Sequence, residues 1–232
     1  MKDPVVIITG AARGVGRATA VELKRAGHEI VLVSRTLVDL EETARLAGGG
    51  MVVAADVTKA SEIEALVART LKASGRIDAI VNNAGLAEMI SVKDMSDERW
   101  RAVIDTNLSA AFYLSRAVWP TFEKQRRGTI VNVSSLASRD PFPGFAAYGA
   151  AKAGLNLLGL AMAREGERIG VRVHTVAPGS IETAMFRGLM SVEQWPTEKT
   201  LDPSEVARVI VQCITGELRH TSGEVIYVHK TL

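Results

Sequence analysis

Val5-Val6-Ile7-Ile8-Thr9-Gly10-Ala11-Ala12-Arg13-Gly14-Val15-Gly16 decides the fold. Four consecutive β-branched residues predict a buried strand, and three glycines follow at once, ahead of a segment of helical period. Glycine lets the backbone turn sharply and come close to a pyrophosphate. The first turn of the following helix then offers unpaired N–H groups and the positive end of its dipole to the phosphates. A glycine triplet is informative only in this strand-to-helix context, which this one has.

Working outward, apolar β-branched runs recur at Val5–Ile8, Ile30–Val33, Met51–Ala54, Ala79–Val81, Ile130–Val133, Val171–Val176 and Val225–Val228. They are continuously apolar rather than alternating, the pattern of strands covered on both faces. Helical segments lie between them. In 59–74, Ile63, Leu66, Val67 and Leu71 form one stripe, and in 203–215 Val206, Val209, Ile210 and Cys213 form another after the start signal Asp202-Pro203. Gly48-Gly49-Gly50 reads as a helix-to-strand turn. The alternation predicts a single α/β domain over 1–232, with a doubly wound, Rossmann-type sheet of about seven mostly parallel strands and helices on both faces. The least regular stretch, 179–202, holds Met185, Phe186, Leu189, Met190 and Trp195 with little polar cover. It is expected to lie over a substrate pocket as a lid; a surface helix packed on the sheet is the alternative.

Composition narrows the partners. Of 232 residues, 47% are hydrophobic and 23% charged, ordinary for a globular chain, and 28 basic against 26 acidic side chains leave a net charge of +2. No basic block points to nucleic acid or to an anionic membrane. No apolar run approaches the roughly 20 residues of a membrane span, and Met1-Lys2-Asp3-Pro4 is no signal peptide, so a cytoplasmic location is expected. The lone Cys213 reads as core, and the four histidines show no metal-ligand spacing, so no metal is expected.

Two further patterns carry chemistry. The second strand ends Val33-Ser34-Arg35, where a carboxylate would be needed to accept hydrogen bonds from a ribose 2′-hydroxyl; a guanidinium instead suits a 2′-phosphate. Tyr148-Gly149-Ala150-Ala151-Lys152, if helical, puts a phenol and an ammonium on one face. The ammonium favours phenolate and fits Tyr148 to give or take a proton.

The spacing T-G-x-x-x-G-x-G resembles the short-chain dehydrogenase/reductase family, and the resemblance covers roughly 4–229. It implies cofactor contacts from Thr9, Gly10, Arg13, Gly14, Val15 and Gly16, with Arg13 joining Ser34 and Arg35 at the 2′-phosphate of NADP(H). Asp56-Val57 looks like the adenine contact, and Asn83-Ala84-Gly85 matches the family's N-N-A-G segment. Ser135, thirteen residues before Tyr148, stands at the interval of the family's catalytic serine and is preferred to Ser134; Asn107 matches the residue holding a proton-relay water beside Lys152. Pro178, Gly179, Ile181 and Thr183 match the segment that holds the nicotinamide carboxamide, and Tyr148 and Lys152 also contact the cofactor.

The resemblance thus implies an NADP(H)-dependent oxidoreductase that reduces a ketone or aldehyde, either like 3-oxoacyl-carrier-protein reductases or as a general carbonyl reductase. Alternatives are an NAD-linked alcohol dehydrogenase and a non-catalytic NADP-sensing regulator. It also implies a homodimer or homotetramer, with helices around 100–124 and 147–168 apolar enough to serve. Arg126, Arg127 and Arg168 are expected to be a solvated basic face, with an acidic carrier protein as the other reading. The chain departs from the family at Tyr227-Val228-His229-Lys230-Thr231-Leu232, where Asp-Gly-Gly is frequent.

Overall fold

Each of the seven apolar runs forms a strand in the computed structural model, which describes residues 3–230; Met1, Lys2, Thr231 and Leu232 lie outside the described residues. The strands are β1 (Val5–Thr9), β2 (Glu29–Ser34), β3 (Met51–Ala54), β4 (Ala79–Asn82), β5 (Gly128–Val133), β6 (Val171–Pro178) and β7 (Val225–Val228). They lie in the order β3-β2-β1-β4-β5-β6-β7, and every pairing is parallel, so the expected "mostly parallel" sheet is parallel throughout. The order reverses direction between β1 and β4. That opens a crevice at the strands' C-terminal ends, the place where ligands sit in such sheets.

Helices cover both faces. On one side α1 (Gly14–Arg25), α2 (Leu37–Ala47) and, later in the chain, a helix over Pro203–Thr215 pack Leu23, Leu40, Val206 and Ile210 against Val6, Ile8, Ile30 and Leu32. On the other, α3 (Ala60–Ser74), α5 (Ala110–Gln125) and α6 (Ala146–Gly166) cover the sheet, and Ile63, Leu66, Leu114, Phe122 and Met162 meet Ile7, Val31, Ile80 and Ile130, while α4 (Asp97–Ile104) packs on α6 through Val103. The stripes read from the sequence are therefore the buried ones, and the pleat sends alternate strand residues to each layer. After β6 come the single turn α7 (Ala184–Arg187) and then α8, the helix over Pro203–Thr215, which starts with a capping box between Asp202 and Glu205. Gly48, in the left-handed region at φ 82°, ends α2 as the turn expected there. Cys213 lies fully buried on α8, and burial pushes its thiol up to about 12.

The apolar stretch around 100–124 is not one helix. Between α4 and α5, Asp105–Ser109 forms a π-helical turn, with Asn107 buried inside it. Such turns occur where a side chain is re-aimed from regular helix, frequently at functional sites.

Candidate active site

The crevice above the switch point opens into a cavity of about 1530 Å³. Its floor is the glycine loop. Gly10 and Gly14 have φ of 64° and 55°, a region that favours glycine, and a Cβ on Gly16 would stand 2.3 Å from the Gly10 carbonyl oxygen and 2.6 Å from Asn83 Nδ2. Gly16 thus leaves no room for a side chain. Arg13 is the N-cap of α1 and makes no side-chain cap bond, and the first turn holds no acid. The helix presents its N–H groups and dipole to the cavity uncompensated.

Thr9 and Asn83 hold this loop from below. Thr9 Oγ1 donates to the Val81 carbonyl at 3.2 Å and accepts from the N–H groups of Asn83 and Ala84 at 3.0 and 3.1 Å. Asn83 Nδ2 donates to the carbonyls of Thr9 and Gly10 at 3.0 and 3.1 Å. Two of the residues read as cofactor contacts therefore bond to the ends of β1 and β4, which they tie together.

At one end of the cavity stand Arg13, Ser34, Arg35, Asp56 and Val57, with Val15 buried beneath the loop. Arg13 and Arg35 are both exposed and form no ion pair among the described residues. A third arginine, Arg17, lines the same end but is committed to protein: Nε donates to Thr43 Oγ1 at 3.0 Å, and its Nη2 to the Ala12 carbonyl. The Asp56 carboxylate accepts from Thr58 N and Oγ1 at 3.0 and 2.7 Å; chiefly the Thr58 hydroxyl, with Lys59 and Arg35 adding, holds it below the usual carboxylate range.

At the other end, α6 carries Tyr148 and Lys152 one turn apart, as the i, i+4 spacing predicts. Lys152 is 3% exposed; its Nζ lies 5.6 Å from the centre of the Tyr148 ring and donates to the Val133 carbonyl at 2.8 Å. Burial brings this ammonium down to about 7. The same burial pushes the Tyr148 phenol up, opposed by a hydrogen bond with Ser135. Ser135, leaving β5, faces this end of the cavity, while its Oγ accepts from Ala137 N at 3.1 Å. Ser134 is occupied differently: its hydroxyl donates to Asn156 Oδ1 at 2.6 Å, and Asn156 Nδ2 in turn donates to Ser138 Oγ at 3.0 Å. The hydrogen bond to Tyr148 thus belongs to Ser135, the serine preferred from the sequence.

Asn107 lies behind Lys152. Its Nδ2 donates to the carbonyls of Leu86 and Val103 at 2.7 and 2.9 Å, and its Oδ1 accepts from Leu86 N at 3.3 Å. The amide is spent on holding the loop that follows Ala84 and Gly85. A Cβ built on Gly85 would lie 3.1 Å from Asn107 Oδ1 and 3.9 Å from Lys152 Nζ, so this loop passes directly over the lysine.

The segment after β6 borders the cavity. Pro178 and Gly179 line it, Gly179 N donates to the Val228 carbonyl, and Ile181 bridges to Leu201. Thr183 caps α7 by accepting from Phe186 N at 3.2 Å, and its methyl would stand 3.2 Å from a Cβ on Gly14. The nicotinamide-loop candidates and the glycine loop therefore face each other. Glu182 and Arg187, which sequence reasoning passed over, form an ion pair that anchors this segment; no family motif marks them, and the only signal was opposite charge five residues apart.

A model of the family described as short chain dehydrogenase matches residues 4–194. The chain belongs to the short-chain dehydrogenase family. It is similar to the 3-oxoacyl-[acyl-carrier-protein] reductase of Synechocystis sp., 38% identical over 214 residues that cover 89% of this chain and 87% of that one. It is 34% identical to the reductase of the same name from Vibrio cholerae, covering 99% and 97% of the two chains. Among solved structures, a putative short-chain dehydrogenase/reductase from Burkholderia xenovorans superposes with a TM-score of 0.91 at 30% identity, covering 97% of this chain and 94% of that one. The protein is thus an oxidoreductase of a family that uses NAD(P)(H). The cavity fits such a cofactor: a glycine cradle that any Cβ would fill lies midway between unpaired arginines and the Tyr148–Lys152 pair. Among the described residues, no helix is long and apolar enough to cross a membrane.

Proposed function

We propose that the protein is an NADP(H)-dependent reductase of ketones or aldehydes, acting reversibly. The observation that carries this reading is the meeting of Tyr148, Lys152 and Ser135 at one end of a cavity whose floor is a glycine cradle. When bound, NADPH supplies hydride to the carbonyl carbon. Tyr148 gives its proton to the carbonyl oxygen as charge develops there, which burial favours by keeping the phenol protonated at neutral pH. Ser135 donates a hydrogen bond to the same oxygen and holds its charge. Lys152, pinned by the Val133 carbonyl, sits beside the phenol and stabilises the phenolate left after transfer. Ile181 and Thr183 orient the nicotinamide amide, and Gly10, Gly14 and Gly16 bring the backbone to the pyrophosphate. Arg13 and Arg35, exposed and unpaired beside Ser34, select NADP(H) by binding the 2′-phosphate, since β2 ends in Ser34-Arg35 rather than in a carboxylate.

A carrier-bound 3-oxoacyl substrate is the second reading. Its support is the relatives' name together with Arg126, whose guanidinium donates to the Arg168 carbonyl at 2.7 Å; both arginines are free of ion pairs among the described residues, whereas Arg127 pairs with Asp78. Trp100, Phe112 and Leu157, 42, 42 and 68% exposed on α4, α5 and α6, support a homo-oligomer. A reducing, cytoplasmic setting suits the single buried thiol.

The experiment is a panel of carbonyl compounds, including a 3-oxoacyl thioester, followed by nicotinamide absorbance with NADPH and with NADH. Turnover with NADPH well above NADH is expected. Equal use of NADH would remove the cofactor assignment, and no turnover of any carbonyl would remove the function.

A further inference from the structure

Next to Tyr148, and outside the residues that line the cavity, runs a chain of aromatic rings. Tyr148 meets Phe145 at 5.2 Å and Phe145 meets Phe142 at 5.8 Å, both tilted, and Trp195 meets Phe142 at 5.6 Å and Phe186 at 6.4 Å edge to face. Phe142 and Phe145 belong to the loop between β5 and α6. Trp195 and Phe186 belong to the segment after β6. The Phe142–Trp195 contact therefore joins these two segments behind the lining of the catalytic end, which includes Ser135, Met185, Gly188 and Leu189.

Trp195 is held in two ways. Arg187 donates to its carbonyl at 2.7 Å, and Arg187 is itself fixed by Glu182, whose carboxylate also accepts from Thr200 Oγ1 at 3.0 Å. The indole Nε1, by contrast, is buried without a hydrogen-bond partner. A buried, unpaired donor disfavours the closed arrangement. The backbone of Trp195 is thus anchored, while its side chain is held only by the rings of Phe142 and Phe186 and by the Lys199 ammonium 5.8 Å from its centre.

Building on the reductase reading above, we infer that Trp195, closing against Phe142, is the residue that sets the size of carbonyl substrate the site accepts. Compact ketones fit in front of the rings. A substrate with a bulky group on the carbonyl must displace the Trp195 indole to place its oxygen at Tyr148.

The test is kcat/KM with NADPH for two matched ketones, one methyl and one carrying a bulky aryl group, in wild type, Trp195→Ala and Trp195→Phe. Phe142→Ala, in the other segment, gives the same information should Trp195→Ala fail to fold. The bulky-to-compact ratio is expected to rise at least tenfold in Trp195→Ala and in Phe142→Ala, through KM for the bulky ketone. Trp195→Phe, which keeps a ring, is expected to stay within about threefold of wild type, and KM for NADPH within twofold throughout. An unchanged ratio in both alanine variants of an active enzyme overturns the gate and leaves the reductase reading standing. A wild type that reduces neither ketone overturns both.

Discussion

Lys152 lies one helical turn beyond Tyr148 on α6, its nitrogen 5.6 Å from the centre of the phenol ring and 97% of its surface removed from solvent. A cation so placed is costly to keep, and the folded protein holds it at about 7 instead of the usual ammonium range near ~10.4. Between those values the unfolded chain binds a proton that the folded chain does not. Stability therefore rises with pH through that window, and the full penalty is felt below it. The melting temperature of the ligand-free protein should climb from pH 7 toward about pH 9. Lys152→Met should lose a contribution with a slope of up to about 1.4 kcal/mol per pH unit. Identical pH dependence in the two proteins would contradict this account of the buried lysine.

Arg35 is the natural handle on cofactor choice, since it is exposed at the end of β2 and unpaired. A charge-assisted hydrogen bond contributes about 1.5–3 kcal/mol, roughly 10- to 100-fold in affinity. Arg35→Asp should lower the NADPH-to-NADH ratio of kcat/KM by at least that factor, because the carboxylate also repels the 2′-phosphate. The ratio is measured directly by initial rates, and no change would move the selectivity elsewhere.

Gly16→Ala tests the cradle. Its methyl would meet the Gly10 carbonyl oxygen at 2.3 Å, a backbone atom that cannot step aside. Overpacking of this kind costs about 1–3 kcal/mol and displaces the loop. A lower melting temperature with weaker NADPH binding is expected in thermal shift and titration. Wild-type behaviour in both would show that the loop does not need glycine there.

Cys213 should be inert. Fully buried and with its thiol raised to about 12, it offers almost no thiolate at neutral pH. Thiol reagents should label the native protein only at the rate of unfolding; rapid labelling would place the residue nearer the surface.

Much of this was legible because hydrophobic period and motif spacing are local. The seven strands, the stripe on α8 and the face shared by Tyr148 and Lys152 each follow from a few neighbouring residues. What escaped was non-local or concerned side-chain partners. Within the π-helical turn at Asp105–Ser109, Asn107 donates to the Leu86 and Val103 carbonyls together, and an apolar stretch around 100–124 gives no hint of either. The interval to Tyr148 already favoured Ser135 over Ser134, but that Ser134 is taken up by Asn156, a long way down the chain, was not legible. The 179–202 segment read as irregular because its anchors, Glu182–Arg187 and Phe142–Trp195, are an ion pair and a ring contact rather than a period.

The central claim is that the Tyr148 phenol delivers the proton to the carbonyl oxygen. Tyr148→Phe keeps the ring, and with it the tilted contact with Phe145, and removes only the hydroxyl. Positioned general acids contribute about 10²–10⁴-fold. Measured by NADPH oxidation with a carbonyl that the wild type reduces, kcat of Tyr148→Phe should fall by at least about 10²-fold while NADPH binding stays within about threefold. A variant that turns over at the wild-type rate would contradict the mechanism.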